Sequence, residues 1–117
     1  SEFKVINMDV TDFNSIDDLV QQIEALDIND QDYYEIYLIG RRKFEIDMYN
    51  LKKMITSTKI IKIKNKTKVN YDIEEIANEN TLKGLYVQEI LKRMNNLEYN
   101  KELLESVLEI GMEILEK

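Results

Sequence analysis

Histidine, cysteine and proline are absent from this chain of 117 residues, and glycine occurs only at Gly40, Gly84 and Gly111. Without histidine, the commonest general acid–base and the commonest transition-metal ligand are both missing. The lack of cysteine as well removes the two ligand types from which zinc sites are almost always built, and with them any disulfide or thiol chemistry. The glycines lie too far apart to form a phosphate-cradling loop, and no acid cluster has calcium-loop spacing with its turn glycine. No catalytic residue, metal ligand or cofactor is therefore assigned to this chain, and a small hydrolase has no residue set to support it. Apolar runs are only a few residues long, so neither a membrane span nor a signal-peptide core is expected. An acidic chain with no cysteine and no signal segment points to the cytoplasm. It opens Ser1-Glu2-Phe3-Lys4 without an initiator methionine, which reads as the remnant of a removed tag on one piece of a longer protein.

What is present is charge, unevenly placed. Hydrophobic residues make up 44% of the chain and charged residues 33%, a balance that suits a folded protein rather than a disordered one. Ten of the sixteen basic residues fall between Arg41 and Lys68, beside only Glu45 and Asp47. Residues 1–40, 41–68 and 69–117 carry net charges of −9, +8 and −6. The island is most regular at Lys62, Lys64, Lys66 and Lys68, where lysine recurs at every second residue.

Patterning predicts an α+β fold: a small three-stranded sheet with two helices over residues 1–70, then a C-terminal helical hairpin over residues 71–117. Phe3 to Val10 alternates as a strand should, and Tyr33 to Ile39 is apolar on both faces except at Glu35, as expected of a central strand. Thr58 to Val69 reads as a third strand, with the lysines on one face and Ile61, Ile63, Asn65, Thr67 and Val69 on the other. Ser15, Asp47 and Asp72 are candidate helix caps, and Asn80-Thr81 interrupts or re-caps the helical stretch that follows. Asn95-Asn96 is expected to end that stretch and Asn100 to cap the last helix. Gly84 and Gly111 inside helices suit close approach of a neighbouring helix. The apolar stripe over residues 103–115 is wide for so small a protein, and is read as a partner surface or as plain core.

One segment has a family look. Asn80-Thr81-Leu82-Lys83-Gly84-Leu85-Tyr86-Val87, preceded by the acidic helix from Tyr71 to Glu79, resembles the C-terminal region of bacterial SbcD-type DNA-repair exonucleases, particularly the YhaO-like branch. Tyr34 to Gly40 also fits a strand usual there. The resemblance is sharp over residues 70–94 and diffuse elsewhere, and its motif is one of helical packing. It implies a capping domain over residues 1–70 that helps engage DNA, and helices over 71–117 that dock the coiled-coil base of an SbcC-type ATPase. It also implies an N-terminal phosphoesterase domain holding two divalent metal ions, such as manganese. This chain contains none of the motifs of that domain, so no catalytic residue carries over.

Three readings of the lysine row stay open. The lysines contact successive DNA phosphates without reading sequence, or blunt an exposed strand edge, or pair with the chain's own acidic flanks. The candidate DNA contacts are Arg41, Arg42, Lys43, Lys62, Lys64 and Lys66. The candidate partner contacts are Leu82, Leu85, Ile90, Leu104, Leu108 and Leu115. The tyrosines Tyr33, Tyr34 and Tyr37 beside the island are read as sheet packing, with base stacking the alternative. A free-standing interaction module, homodimeric through its hairpin and without DNA binding, is the competing functional expectation.

Overall fold

The computed structural model describes residues 1–95 and 101–116. The fold is α+β, and the chain divides into two compact units, Ser1–Asn70 and Tyr71–Lys117.

Ser1–Asn70 contains strands β1 (Phe3–Asp9), β2 (Tyr33–Ile39), β3 (Arg41–Arg42), β4 (Ile60–Asn65) and β5 (Lys68–Val69), with helices α1 (Ile16–Glu24) and α2 (Met48–Met54). β1, β2 and β4 form a parallel sheet with β2 in the middle. Ile6, Ile36 and Ile63 share one register row, with Met8 and Leu38 beside them. These residues face α1 and α2, whose Leu19, Ile23 and Leu51 are fully or almost fully buried against them. Removing each such side chain from water contributes about 1.5–3 kcal/mol. Because both helices join the same core, the opposite face of the sheet carries no helix of this unit.

Local chemistry fixes where the helices begin. Ser15 Oγ accepts from the Asp18 N–H at 3.2 Å, and Asp47 Oδ1 accepts from the Asn50 N–H at 3.2 Å. The Asp18 carboxylate turns back to the Asn14 N–H at 2.9 Å, so the start of α1 is closed from both sides.

The third strand is less regular than its sequence pattern. A register shift opposite Tyr34 and Glu35 leaves Ile61 outside the alternation and exposed. The strand then breaks at Lys66-Thr67, where Asn65 Oδ1 accepts both the Thr67 N–H, at 3.0 Å, and the Thr67 hydroxyl. Beyond the break, β5 pairs with β3 and prolongs the ladder, Lys68 N–H donating to Gly40 O at 2.9 Å and Asn70 N–H to Arg42 O at 2.8 Å. An equivalent turn closes β1, where Asp9 Oδ1 accepts the Thr11 N–H at 3.0 Å together with its hydroxyl. Between these two turns β2 passes into β3 through Gly40, whose φ of +92° is open to glycine at little cost.

Tyr71–Lys117 contains α3 (Ile73–Ala77), α4 (Leu82–Met94) and α5 (Lys101–Leu115). Asp72 caps α3 by accepting the Glu75 N–H at 3.2 Å, and Thr81 caps α4 by accepting the Gly84 N–H at 3.0 Å. Thr81 thus re-caps the chain and separates two helices. Asn95 is the C-cap of α4, while Asn96 and Asn100 lie outside the described residues. The start of α4 meets the end of α5: Lys83 Nζ lies 3.6 Å from Glu116 Oε1, and the Tyr86 hydroxyl donates to Val107 O. The two helices are therefore antiparallel, around a core of Ile76, Val87, Ile90, Leu104, Leu108 and Met112. A Cβ on Gly84 would run into the Glu79 and Ile76 carbonyls, and one on Gly111 into the Tyr86 ring. Both glycines therefore mark close approach of a neighbouring helix. Among the described residues no helix is long and apolar enough to cross a membrane.

Candidate functional site

The helix-free face of the sheet is set by strand parity. Phe3, Val5 and Asn7 of β1, Tyr33, Glu35 and Tyr37 of β2, and Lys62 and Lys64 of β4 fall on it, since Phe3 registers with Tyr33, Val5 with Glu35 and Lys62, and Asn7 with Tyr37 and Lys64. β4 is an edge strand, so the lysines line one margin of this face.

Glu35 is only 8% exposed. Its Oε1 lies 3.4 Å from Lys62 Nζ. Tyr37 and then Lys62 outweigh the effect of burial and hold the Glu35 carboxyl below its ordinary range. Two more lysines cover aromatic rings, with Lys66 Nζ 4.4 Å from the Tyr37 centroid and Lys59 Nζ 4.8 Å from that of Tyr33. Such contacts contribute roughly 0.5–1 kcal/mol at exposed positions and leave donors free for an anion.

The six candidate DNA contacts do not form one group. Lys62, Lys64 and Lys66 are exposed along β4 and its exit, and Lys43 is exposed beyond β3. Arg41 is exposed and in register with Lys68, and its guanidinium donates to Val69 O at 3.4 Å. Arg42 is half-buried, and donates to the Thr67 hydroxyl at 3.1 Å and the Thr67 carbonyl at 3.5 Å. Both arginines thus tie β3 to the chain of β5. Of the three readings of the row, self-pairing is seen at Lys62 with Glu35. The position of β4 at the edge suits both edge protection and an external anion.

The candidate partner contacts divide in the same way. Leu82 and Leu85 are exposed, Leu115 is half-buried, and Ile90, Leu104 and Leu108 are core residues of the helical unit, out of reach of a partner in this fold. The outward apolar surface of α5 is instead Leu103, Val107, Ile110 and Ile114. Their 4-3-4 spacing was the sequence signal for a second stripe, distinct from that of Leu104, Leu108 and Met112. Phe3 and Val5 were likewise unassigned, although both are exposed on the lysine-bearing face.

A groove of about 240 Å³ beside β4 is lined by isoleucines with Lys52, Ser57 and Lys62, and holds no acid–base pair. Among the described residues, no three acids converge to hold a metal ion. Among those residues the two divalent ions implied by the family resemblance have no fitting donor set, and no chemical step is assigned to them. Comparison of the chain with family models, with curated proteins and with solved structures gives no match.

Proposed function

We infer that this chain is the non-catalytic C-terminal part of a cytoplasmic DNA-repair exonuclease subunit. Ser1–Asn70 contacts the DNA backbone, and Tyr71–Lys117 docks the coiled coil of an SbcC-type ATPase. Hydrolysis, with its two divalent ions, belongs in this reading to a phosphoesterase domain carried by a longer protein. The observation that carries the DNA contact is the exposed row of Lys62, Lys64 and Lys66 on one sheet margin. Its repeat of about 6.6 Å suits successive phosphates.

The test is duplex binding across a salt series. If about three phosphates are neutralised, log K falls against log salt with a slope of about −3. Because Lys62 also holds Glu35, reversing its charge would disturb the sheet, so the informative variant is Lys64→Glu with Lys66→Glu. Loss of most of the affinity and a shallower slope are expected. Binding equal to that of the parent ends the assignment.

A second reading, an interaction or dimerisation module without DNA binding, is favoured by the exposed stripe on α5. The charges flanking that stripe argue against an antiparallel second copy. Glu102, Glu109 and Glu113 lie to one side of the stripe on the same helix, and antiparallel self-pairing would bring like charges together. A helix with an apolar seam and basic flanks fits better, as the ATPase coiled coil would if its flanks are basic. Sedimentation of the isolated chain decides this point, with a monomer expected.

A further inference from the structure

The lysine margin borders aromatic surface that backbone contact alone does not use. Phe3 and Tyr33 sit side by side in register and are 56% and 44% exposed. Neighbouring strands are about 4.8 Å apart, so one nucleobase can reach both side chains. Parallel sheets are ordinarily covered on both faces, and on this face no helix of the unit covers them. Glu35, the acid at the middle of the face, is buried under Lys62 at 3.4 Å, which lowers its opposition to an approaching anion. The Lys59 ammonium lies over one face of the Tyr33 ring, 4.8 Å from its centroid, so a base stacks on the other face or displaces the lysine, which then adds positive charge beside it.

Aromatic faces bordered by a cationic row fit a ligand that presents flat apolar rings and regularly spaced anions together. Duplex DNA keeps its base faces stacked inward, whereas a single strand offers both. We propose that this face binds single-stranded DNA, with bases stacked on Phe3 and Tyr33 and the backbone running along Lys62, Lys64 and Lys66. The proposal rests on the DNA reading above and adds a substrate class to it.

The test uses the full chain with a labelled oligothymidylate of about 15 nucleotides and a hairpin duplex of similar charge, followed by anisotropy. Phe3→Leu with Tyr33→Leu removes the rings while keeping apolar side chains, and circular dichroism with urea unfolding checks that the fold is kept. Tighter binding of the single strand than of the duplex is expected. The double variant should lose about tenfold per ring on the single strand and little on the duplex. Quenching of 2-aminopurine placed in the oligonucleotide gives a second readout in the unaltered protein. If the leucine variant binds the single strand unchanged while Lys64→Glu with Lys66→Glu abolishes binding, stacking is overturned and backbone contact survives. If the unaltered chain binds neither DNA at low salt, both fall. If the leucine variant instead loses only capture of a protein partner, the platform belongs to that partner and the proposal is overturned.

Discussion

Glu35 in β2 and Lys62 in β4 face one another in register, 3.4 Å apart, the carboxylate almost buried and the lysine side chain 54% exposed. This pairing joins the central strand to its edge and shapes both the charge and the acid sensitivity of the first unit.

Acid should weaken Ser1–Asn70. Thr11 holds Asp9 below its ordinary range, the Glu2 N–H and then Lys4 do so for Asp32, and Tyr37 and then Lys62 for Glu35. A carboxyl whose folded value is depressed stabilises the fold above its unfolded value, and that stabilisation is lost as pH falls through the folded one. Unfolding midpoints in urea should therefore fall below about pH 4, and Glu35→Gln should flatten the trend.

Alkali should weaken Tyr71–Lys117 instead. Burial, reinforced by Glu116, pushes the Tyr71 phenol up to about 12. A raised folded value means that the contribution is complete below about pH 10 and is lost as pH climbs toward the folded value. Tyrosinate absorbance on titration should show late ionisation to which Tyr37, raised by Glu35, and Tyr86, raised by burial, also contribute, and Tyr71→Phe should reduce its latest part.

Gly40→Ala is expected to destabilise the first unit by about 1–3 kcal/mol. The position has φ +92°, and a methyl there would meet the Asp9 carboxylate and the Thr11 hydroxyl. Urea unfolding of this variant should show a lower midpoint with unchanged slope. No loss would mean that the Asp9–Thr11 turn yields readily.

The two helical glycines should respond differently. At Gly84 an added methyl meets backbone carbonyls of Ile76 and Glu79, which cannot swing away. Gly84→Ala should therefore lower stability by about 1–3 kcal/mol, despite the roughly 1 kcal/mol gain in helix propensity. At Gly111 the obstacle is the Tyr86 ring, so Tyr86→Leu should restore much of what Gly111→Ala loses. Thermal unfolding of the double variant checks this.

On α5, Val107→Glu or Ile110→Glu should leave helicity intact, since both residues are exposed. Either should abolish capture of an ATPase coiled coil if that is the partner. Leu104→Ala or Leu108→Ala should instead cost about 2–5 kcal/mol through the emptied core. Pull-down paired with circular dichroism separates the two effects.

The caps at Ser15, Asp47, Asp72 and Thr81 were legible because capping is a bargain between residues three apart. The central place of β2 followed from its nearly unbroken apolar run. Phe3 and Val5 could not be distinguished from Ile6 and Met8 by alternation alone, because both pairs are apolar and only the side taken by the helices decides which is covered. For the same reason the two stripes of α5 could not be assigned to core and surface. The break at Lys66-Thr67 arises from the Asn65 side chain competing for the backbone, a local bond that strand patterning ignores.

Within the parallel β1-β2-β4 sheet there is no hairpin, and this governs the order in which the protein can acquire its structure. Phe3 must find Tyr33, and Tyr34 must find Ile60, across loops that have to close before any pairing is rewarded. The helical turns of Tyr71–Lys117 need only neighbours and can form in about a microsecond. During synthesis β1 and β2 can meet early, but the lysine margin exists only after β4 leaves the ribosome. Until then the uncovered edge of β2, the most apolar strand of the chain, is the segment most in need of a chaperone.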